Sequence, residues 1–201
     1  MSLTFYTNPQ SRGRIVRWAL EEVGQPYDTV LLDYATTMKA PAYLAINPMG
    51  KVPALVHDGQ VITECAAVIA YLADAFPQAG LMPANRAAFY RWMFFGAGPM
   101  EAAVTNAALG VQVPPERRGM VGYGSLEKVT ATLESLLLSQ PYLCGDAFSA
   151  ADIYLGSQIG FGMLFHTVEA RPAFVDYWGR ISARPACLRA QEIDNALLAK
   201  G

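Results

Sequence analysis

The order of secondary structure in the first 76 residues limits most strongly what this chain can fold into. Aromatic and apolar residues 3–7 predict a buried strand, and residues 27–32 predict a second one. Between them, apolar side chains recur at helical spacing over residues 14–23, and Gly24 is a natural end for that helix. This order predicts two parallel strands joined by a right-handed crossover.

A hairpin and a further helix follow. Residues 52–57 and 60–63 predict two strands, and the intervening Asp58-Gly59 is a typical hairpin turn. Residues 64–75 have the apolar spacing of a helix. The first part of the chain therefore predicts a mixed sheet of the order βαβ then ββα.

The remainder of the chain predicts only helices. Two prolines and a glycine in residues 77–85 favour a linker. Beyond it, helical patterns cover residues 87–108, 126–138, 150–165, 171–183 and 186–199. Inside the first of these, Gly96, Gly98 and Pro99 predict a kink or a close packing contact. We expect two domains, residues 1–77 and 86–201, joined by the linker 78–85.

Charge and cysteine content exclude several function classes. The 15 basic and 17 acidic residues give a net charge of -2, which does not favour nucleic acid or an anionic membrane as partner. Charged residues interrupt every apolar stretch, so no membrane span is expected. Cys65, Cys144 and Cys187 are widely spaced, and His57 and His166 are isolated, so no metal site is expected. Free thiols and the absence of a secretory pattern at the N-terminus favour a cytoplasmic protein.

Two features could carry chemistry at the ends of the predicted strands. Ser11 precedes a helix, where unpaired N–H groups favour an anion such as a thiolate, although a serine there can equally be a plain N-cap. Pro53 lies inside an apolar run. A cis bond before it would let Val52 present its backbone to an extended peptide, whereas an ordinary edge-strand proline would not.

A third feature is the start of the helix over residues 64–75. A carboxylate and backbone amides at Thr63-Glu64-Cys65 could bind the ammonium and carboxylate of an amino acid. Alternatively, Glu64 only complements the helix dipole, and Cys65 is a small buried residue.

Taken in order, these segments resemble the glutathione S-transferase family. The resemblance is carried by FYTNPQSRGRIVRWALEEVGQPYD, which is similar to the opening of bacterial members, and by NPMGKVPALV, TECAAVIAYLAD and SAADI. It implies an α/β thioredoxin-like N-terminal domain and an all-α helical C-terminal domain. In SAADI it implies a buried capping box, with Ser149 as N-cap and Asp152 as its partner.

The same resemblance implies glutathione as co-substrate, without a metal. Val52, before a cis Pro53, would pair its backbone with the cysteinyl part of glutathione. Glu64 and Cys65 would hold the γ-glutamyl end, although the family has serine where this chain has Cys65, a weaker hydrogen-bond donor. Lys51 is expected either to bind the glycyl carboxylate or to be a solvated lysine.

For thiol activation the resemblance favours Ser11, with Arg12 as electrostatic helper and Tyr6 as a weaker alternative that depends on the pleat of its strand. The thiolate would attack a small hydrophobic electrophile, a typical detoxification reaction. A two-fold homodimer is expected. The expected electrophile pocket, whose residues could instead be helix core or dimer contacts, comprises Tyr90, Phe94, Met100 and Asn106. Peroxidase, isomerase or dehalogenase chemistry and a non-catalytic regulatory module remain alternatives.

Overall fold

A computed structural model describes residues 2–199, and their contacts divide them into two compact units. The first unit comprises residues 2–81 together with residues 184–199, and the second comprises residues 82–183. In the first unit, α1 (Gly13–Val23) follows the first strand and α3 (Cys65–Ala75) follows the last one.

The sheet of the first unit has four strands, β1 (Leu3–Thr7), β2 (Asp28–Leu31), β3 (Ala54–His57) and β4 (Gln60–Thr63). They lie in the order β2-β1-β3-β4, with β1 parallel to β2 and antiparallel to β3, and with β3 antiparallel to β4. The predicted order βαβ then ββα is therefore confirmed. Between β2 and β3 lie a 3-10 turn, Thr37–Lys39, and the short helix α2, Pro41–Leu44.

The pleat of β1 separates the two faces of the sheet. Leu3, Phe5 and Thr7 are buried on one face. Tyr6 points to the other face, where its ring centroid lies 5.7 Å from that of Tyr43. Tyr43 is itself buried, so both faces of β1 are covered.

The C-terminal helix α9 (Pro185–Leu198) belongs to the same compact unit as the sheet and packs along α1. This division differs from the sequence-based boundaries, which grouped residues 186–199 with the helical part of the chain. The two helices are joined by pairs of polar side chains that lie about 170 residues apart in sequence, such as Arg17 and Asp194 at 2.8 Å. A local sequence pattern cannot predict pairs so far apart, so the sequence did not indicate that α9 belongs with α1.

The second unit consists of helices and loops, with one isolated β-bridge between Tyr142 and Gly145. Its helices are α4 (Arg86–Phe95), α5 (Glu101–Ala108), α6 (Leu126–Ser139), α7 (Ala150–Leu164) and α8 (Pro172–Ser182). This confirms the all-helical character predicted for this part of the chain. A short 3-10 helix, Pro115–Met120, lies between the two segments predicted to be helical, residues 87–108 and 126–138.

The long helix predicted over residues 87–108 is interrupted by a π-helical segment, Gly96–Met100, between α4 and α5. Pro99 inside it has no N–H to donate, which favours such an interruption. A Cβ on Gly96 would lie 2.9 Å from the ring of Tyr154 on α7. The predicted close packing contact is therefore present, at the point where the α-helical pattern is interrupted.

The start of α7 is held by a buried carboxylate. The N–H and the hydroxyl of Ser149 donate to Asp152 Oδ2 at 2.8 and 2.9 Å, and the capping box is present. Asp152 Oδ1 accepts from the N–H of Leu143 and from the hydroxyl of Tyr177, each at 2.8 Å. Burial raises the pKa of Asp152, although these hydrogen bonds act to lower it.

Candidate functional site

The loop between β1 and α1, residues 8–12, holds Ser11 in a closed turn that we call the Ser11 loop. The Ser11 N–H donates to the carbonyl of Asn8 at 3.0 Å. The Ser11 hydroxyl donates to the same carbonyl at 2.6 Å and accepts from the N–H of Gly13 at 2.9 Å. Ser11 is half-buried, and its hydroxyl proton is directed at the backbone. Arg12 is the N-cap residue of α1, so Ser11 lies one position before the cap, next to the N-terminus of the helix.

Gly13 allows α1 to begin directly against β1. A Cβ at this position would lie 1.9 Å from Thr7 Oγ1 and 3.0 Å from Ser11 Oγ. Thr7 is fully buried and belongs to a strand, so it cannot easily move aside. Gly13 was not among the predicted site residues; the only signal for it in the sequence was a glycine two positions after the serine.

The N-termini of α1 and α3 meet at this loop. The thiol of Cys65, the first residue of α3, donates to the carbonyl of Arg12 at 3.8 Å. Because helix N-termini carry partial positive charge, two of them at one place favour an anionic ligand. The structure therefore brings Ser11 and Arg12 together with Glu64 and Cys65.

Glu64 precedes α3 in an unusual backbone conformation. Its φ is +67°, a region that a residue with a Cβ rarely adopts, and its side chain is exposed. Backbone strain of this kind is concentrated at binding and catalytic sites. The carboxylate of Glu64 consequently stands beside the helix N-terminus and accessible to solvent.

The segment before β3 presents backbone groups. The Val52-Pro53 peptide bond is cis. Within residues 2–199, the N–H and C=O of Val52 have no hydrogen-bond partner. The carbonyl of Lys51, in contrast, accepts from the hydroxyl of Tyr43 at 2.6 Å and from the amide of Asn47 at 2.8 Å. Val52 is thus held in place by its neighbour while its own groups remain available.

Two lysine ammonium groups lie at the segment before β3, one from the segment itself and one from the preceding 3-10 turn. The side chain of Lys51 is exposed. Lys39, in the 3-10 turn, donates from Nζ to the carbonyl of Gly50 at 2.6 Å. Lys39 was missed by the sequence reasoning, because it lies eleven positions from Gly50 in a segment with only an irregular pattern.

Tyr6, the weaker candidate for thiol activation, lies in an apolar cluster. Its ring packs with Val52 against Leu32, Met38 and Tyr43. Burial raises the pKa of Tyr43 to about 12, so this neighbour is a neutral phenol at physiological pH. The pleat of β1 therefore directs Tyr6 into packing on the face opposite to buried Thr7.

Four residues of the second unit were predicted for an electrophile pocket. Tyr90 and Phe94 lie one turn apart on α4 and are exposed, Phe94 by 72%. Met100 is fully buried, which is the helix-core alternative that the sequence left open. The amide of Asn106 donates to the hydroxyl of Tyr123 at 2.9 Å. Tyr90 and Phe94 are thus the two whose side chains are accessible.

Metal-binding clusters and membrane-spanning helices are absent from the part of the chain that the structure describes. Among residues 2–199, no three His, Cys, Asp or Glu side chains are grouped so that they could hold a metal ion. Over the same residues, no helix has the length and hydropathy needed to cross a membrane.

Comparisons with known proteins agree on one family. Residues 11–75 match the family described as glutathione S-transferase, N-terminal domain. Glutathione S-transferase GST-4.5 of Xanthomonas campestris is 30% identical over 70% of this chain and 71% of its own. Maleylacetoacetate isomerase of Pseudomonas aeruginosa is 31% identical over 90% of this chain and 87% of its own.

Solved structures give the same result. A sphingomonad glutathione S-transferase complexed with glutathione superposes with a TM-score of 0.77 at 30% sequence identity. The match covers 96% of this chain and 98% of the other. Fold and family thus agree over nearly the full length.

Proposed function

Because the chain belongs to the glutathione S-transferase family, we propose that its first unit binds glutathione and that Ser11 stabilises the glutathione thiolate for attack on a small hydrophobic electrophile. The observation that carries this proposal is the meeting of two helix N-termini at the Ser11 loop, with Cys65 Sγ 3.8 Å from the carbonyl of Arg12. The sphingomonad relative is complexed with glutathione, which supports the same ligand here.

Each part of glutathione has a group of matching chemistry in this unit. The exposed carboxylate of Glu64 suits the γ-glutamyl ammonium, and the N-terminus of α3 at Cys65 suits the γ-glutamyl carboxylate. The unpaired N–H and C=O of Val52 suit the cysteinyl backbone in strand-like pairing. Lys51 and Lys39 are the cations available to the glycyl carboxylate.

Activation of the thiol requires Ser11 to redirect one proton. The hydroxyl proton now points to the carbonyl of Asn8, but that carbonyl also accepts the N–H of Ser11. Turning the hydroxyl toward a thiolate therefore leaves no buried acceptor without a partner. The hydroxyl oxygen can still accept from Gly13 N–H during this rotation. Arg12 adds positive charge beside the same anion.

The free energy needed is modest. A thiol of pKa about 8.5 is mostly protonated at pH 7, and each unit by which its pKa falls is worth about 1.4 kcal/mol. A hydrogen bond to a charged group contributes about 1.5–3 kcal/mol. Ser11 alone can therefore lower the pKa of the thiol by about one to two units, and the helix N-termini add to this.

The test combines binding and turnover. We expect calorimetry to show glutathione binding by the wild type. We also expect Ser11→Ala to lower turnover of a chromogenic aryl halide about 10- to 100-fold, because one to two pKa units of thiolate stabilisation are lost. Tyr6→Phe is the matched hydroxyl deletion and should stay within about 2-fold. Absence of binding at millimolar glutathione would refute the proposal and favour a non-catalytic module. A fully active Ser11→Ala would mean that another group, such as Tyr6, stabilises the thiolate.

Isomerisation is the second candidate reaction, and the similarity to the Pseudomonas aeruginosa maleylacetoacetate isomerase favours it. It uses the same nucleophile, because a glutathione thiolate can add to an activated double bond and leave again. Comparing rates on an aryl halide, a hydroperoxide and a cis-enone separates transferase, peroxidase and isomerase chemistry. We further propose that Tyr90 and Phe94 contribute to electrophile binding, and that the protein is a cytoplasmic homodimer that acts in detoxification.

A further inference from the structure

We propose that Arg14 is a positioning residue for the Ser11 loop, and that Asn195 on the C-terminal helix holds it in place. This inference rests on the proposed function, because it concerns the hydroxyl assigned there to the thiolate. It adds to that function a dependence of the reaction on α9.

The guanidinium of Arg14 connects two parts of the first unit. Its Nε donates to the carbonyl of Pro9 at 2.7 Å, and its Nη2 donates to Asn195 Oδ1 at 2.6 Å. Both are short bonds from a charged donor, which makes them stronger than bonds between neutral groups. Only the planar fork of arginine can make both bonds in fixed directions.

The Pro9 carbonyl lies in the part of the loop that determines where Ser11 stands. It is part of the Pro9–Gln10 peptide. Along the chain, this peptide joins Ser11 to the carbonyl of Asn8, which accepts the hydrogen bond of the Ser11 hydroxyl. Neutral side chains also form hydrogen bonds at this loop. The amide of Asn8 donates to the carbonyl of Leu32 at 2.8 Å, and the hydroxyl of Tyr34 donates to that of Gln10 at 3.3 Å. The thiol of Cys65 donates to the carbonyl of Arg12 at 3.8 Å. Arg14, in contrast, donates to the loop from a charged group.

Asn195 is a fixed support because α9 is bound to α1 along its length. The adjacent Asp194 forms a buried ion pair with Arg17, 2.8 Å apart, so neighbouring residues of α9 hold arginines three positions apart on α1. Near the start of α9, Arg184 donates to both carboxylate oxygens of Glu22 at 2.6 and 2.8 Å. The register of α9 on α1 is thus set independently of Asn195.

The consequence for the reaction is geometric. A displacement of about 1 Å in a reacting group can lower a rate by about 100-fold. Without Asn195, the guanidinium of Arg14 can turn into solvent and release the Pro9 carbonyl. The Ser11 hydroxyl would then sample positions that do not donate to the thiolate, while the groups assigned to glutathione binding are unchanged.

The experiment uses the full chain and two variants that remove the connection from either end. We expect Arg14→Lys, which keeps the charge but loses the fork, to lower kcat about 10-fold, and Asn195→Ala to lower it about 3- to 5-fold, both with KM for glutathione within about 2-fold. Asn195→Asp, which still offers Arg14 an oxygen acceptor, should restore the rate. Arg189→Ala is the control, since it removes another α1–α9 link, that to Glu21, at the opposite end of α1.

A second measurement does not depend on turnover. Hydrogen exchange of a peptide covering residues 5–15 should be faster in Arg14→Lys and Asn195→Ala than in the wild type or Arg189→Ala, because the Ser11 amide bonded to Asn8 becomes less protected. Equal exchange in Asn195→Ala and Arg189→Ala would overturn the inference, as would a rate loss expressed in KM alone. A wild type without activity would refute the proposed function, and the exchange comparison would still decide the role of Arg14.

Discussion

The buried ion pair between Arg17 on α1 and Asp194 on α9 allows the contribution of this helix contact to the free energy of unfolding to be measured. Both side chains are 1% exposed, and Arg17 Nε lies 2.8 Å from Asp194 Oδ1. The guanidinium also contacts neutral groups: the rings of Phe5 and Tyr27, 5.2 and 6.0 Å from its carbon, and the hydroxyls of Tyr27 and Thr29 at 3.1 and 3.4 Å. Asp194→Ala therefore leaves a buried cation without a counterion, and we expect it to lower the free energy of unfolding by about 3–5 kcal/mol.

Burial raises the pKa of Asp194 in spite of the adjacent Arg17, so desolvation outweighs the attraction of the pair. An apolar replacement of both residues, Arg17→Met with Asp194→Leu, should thus recover most of the stability lost in the single variant. Urea unfolding followed by circular dichroism measures all three proteins. Arg189→Ala removes an ion pair whose arginine is 52% exposed, and should change stability by less than about 1 kcal/mol. An Asp194→Ala protein within 1 kcal/mol of wild type would refute this reasoning.

Two further predictions concern packing and a buried carboxylate. Gly13→Ala should lower the free energy of unfolding by about 1–3 kcal/mol, because the new Cβ would lie 1.9 Å from Thr7 Oγ1. Gly179→Ala, in α8, has nothing within 4 Å of the new Cβ and should raise the free energy of unfolding by up to about 1 kcal/mol. Thermal melts compare the two variants, and equal effects would contradict the steric explanation. Tyr177→Phe removes a hydrogen bond that lowers the pKa of Asp152, whose folded-state value is already raised by burial. The stability that a carboxyl with a raised pKa contributes is present below the ordinary aspartate pKa and is lost as pH rises through the folded-state pKa. The urea midpoint of Tyr177→Phe should therefore fall further below that of the wild type as the pH goes from acid to neutral. A difference in midpoint that does not depend on pH would exclude the titration of Asp152 as its cause.

The parts of the fold that sequence predicted correctly are those with a local physical cause. Asp58 and Gly59 have φ of +47° and +82°, as the hairpin turn between β3 and β4 requires, and that dipeptide is visible in the sequence. Helical spacing gave α6, α7 and α8 to within one or two residues. The α/β plus all-helical fold class, the family resemblance and the enzyme class, glutathione transferase, are confirmed by the comparisons and the structure.

The features that sequence did not reveal depend on contacts between distant residues. Arg14 and Asn195 are 181 positions apart, and nothing in the sequence around Arg14 points to Asn195 as its partner. The need for glycine at position 13 arises from Thr7 on a neighbouring strand, which only the packed structure shows. Met100 fits the apolar pattern of a pocket residue and of a core residue equally well, and burial alone places it in the core.

The position of the Ser11 hydroxyl depends on residues that were not among the predicted site residues. The hydroxyl carries one proton, which it donates to the carbonyl of Asn8 across an oxygen–oxygen distance of 2.6 Å. In the proposed reaction, donation to the glutathione thiolate is favourable because the acceptor changes from a neutral carbonyl to an anion, while the Ser11 N–H still donates to the carbonyl of Asn8. That exchange works only while the loop stays in place. In the proposed mechanism, the reactivity of Ser11 therefore depends as much on Gly13, Arg14 and Asn195 as on the serine itself.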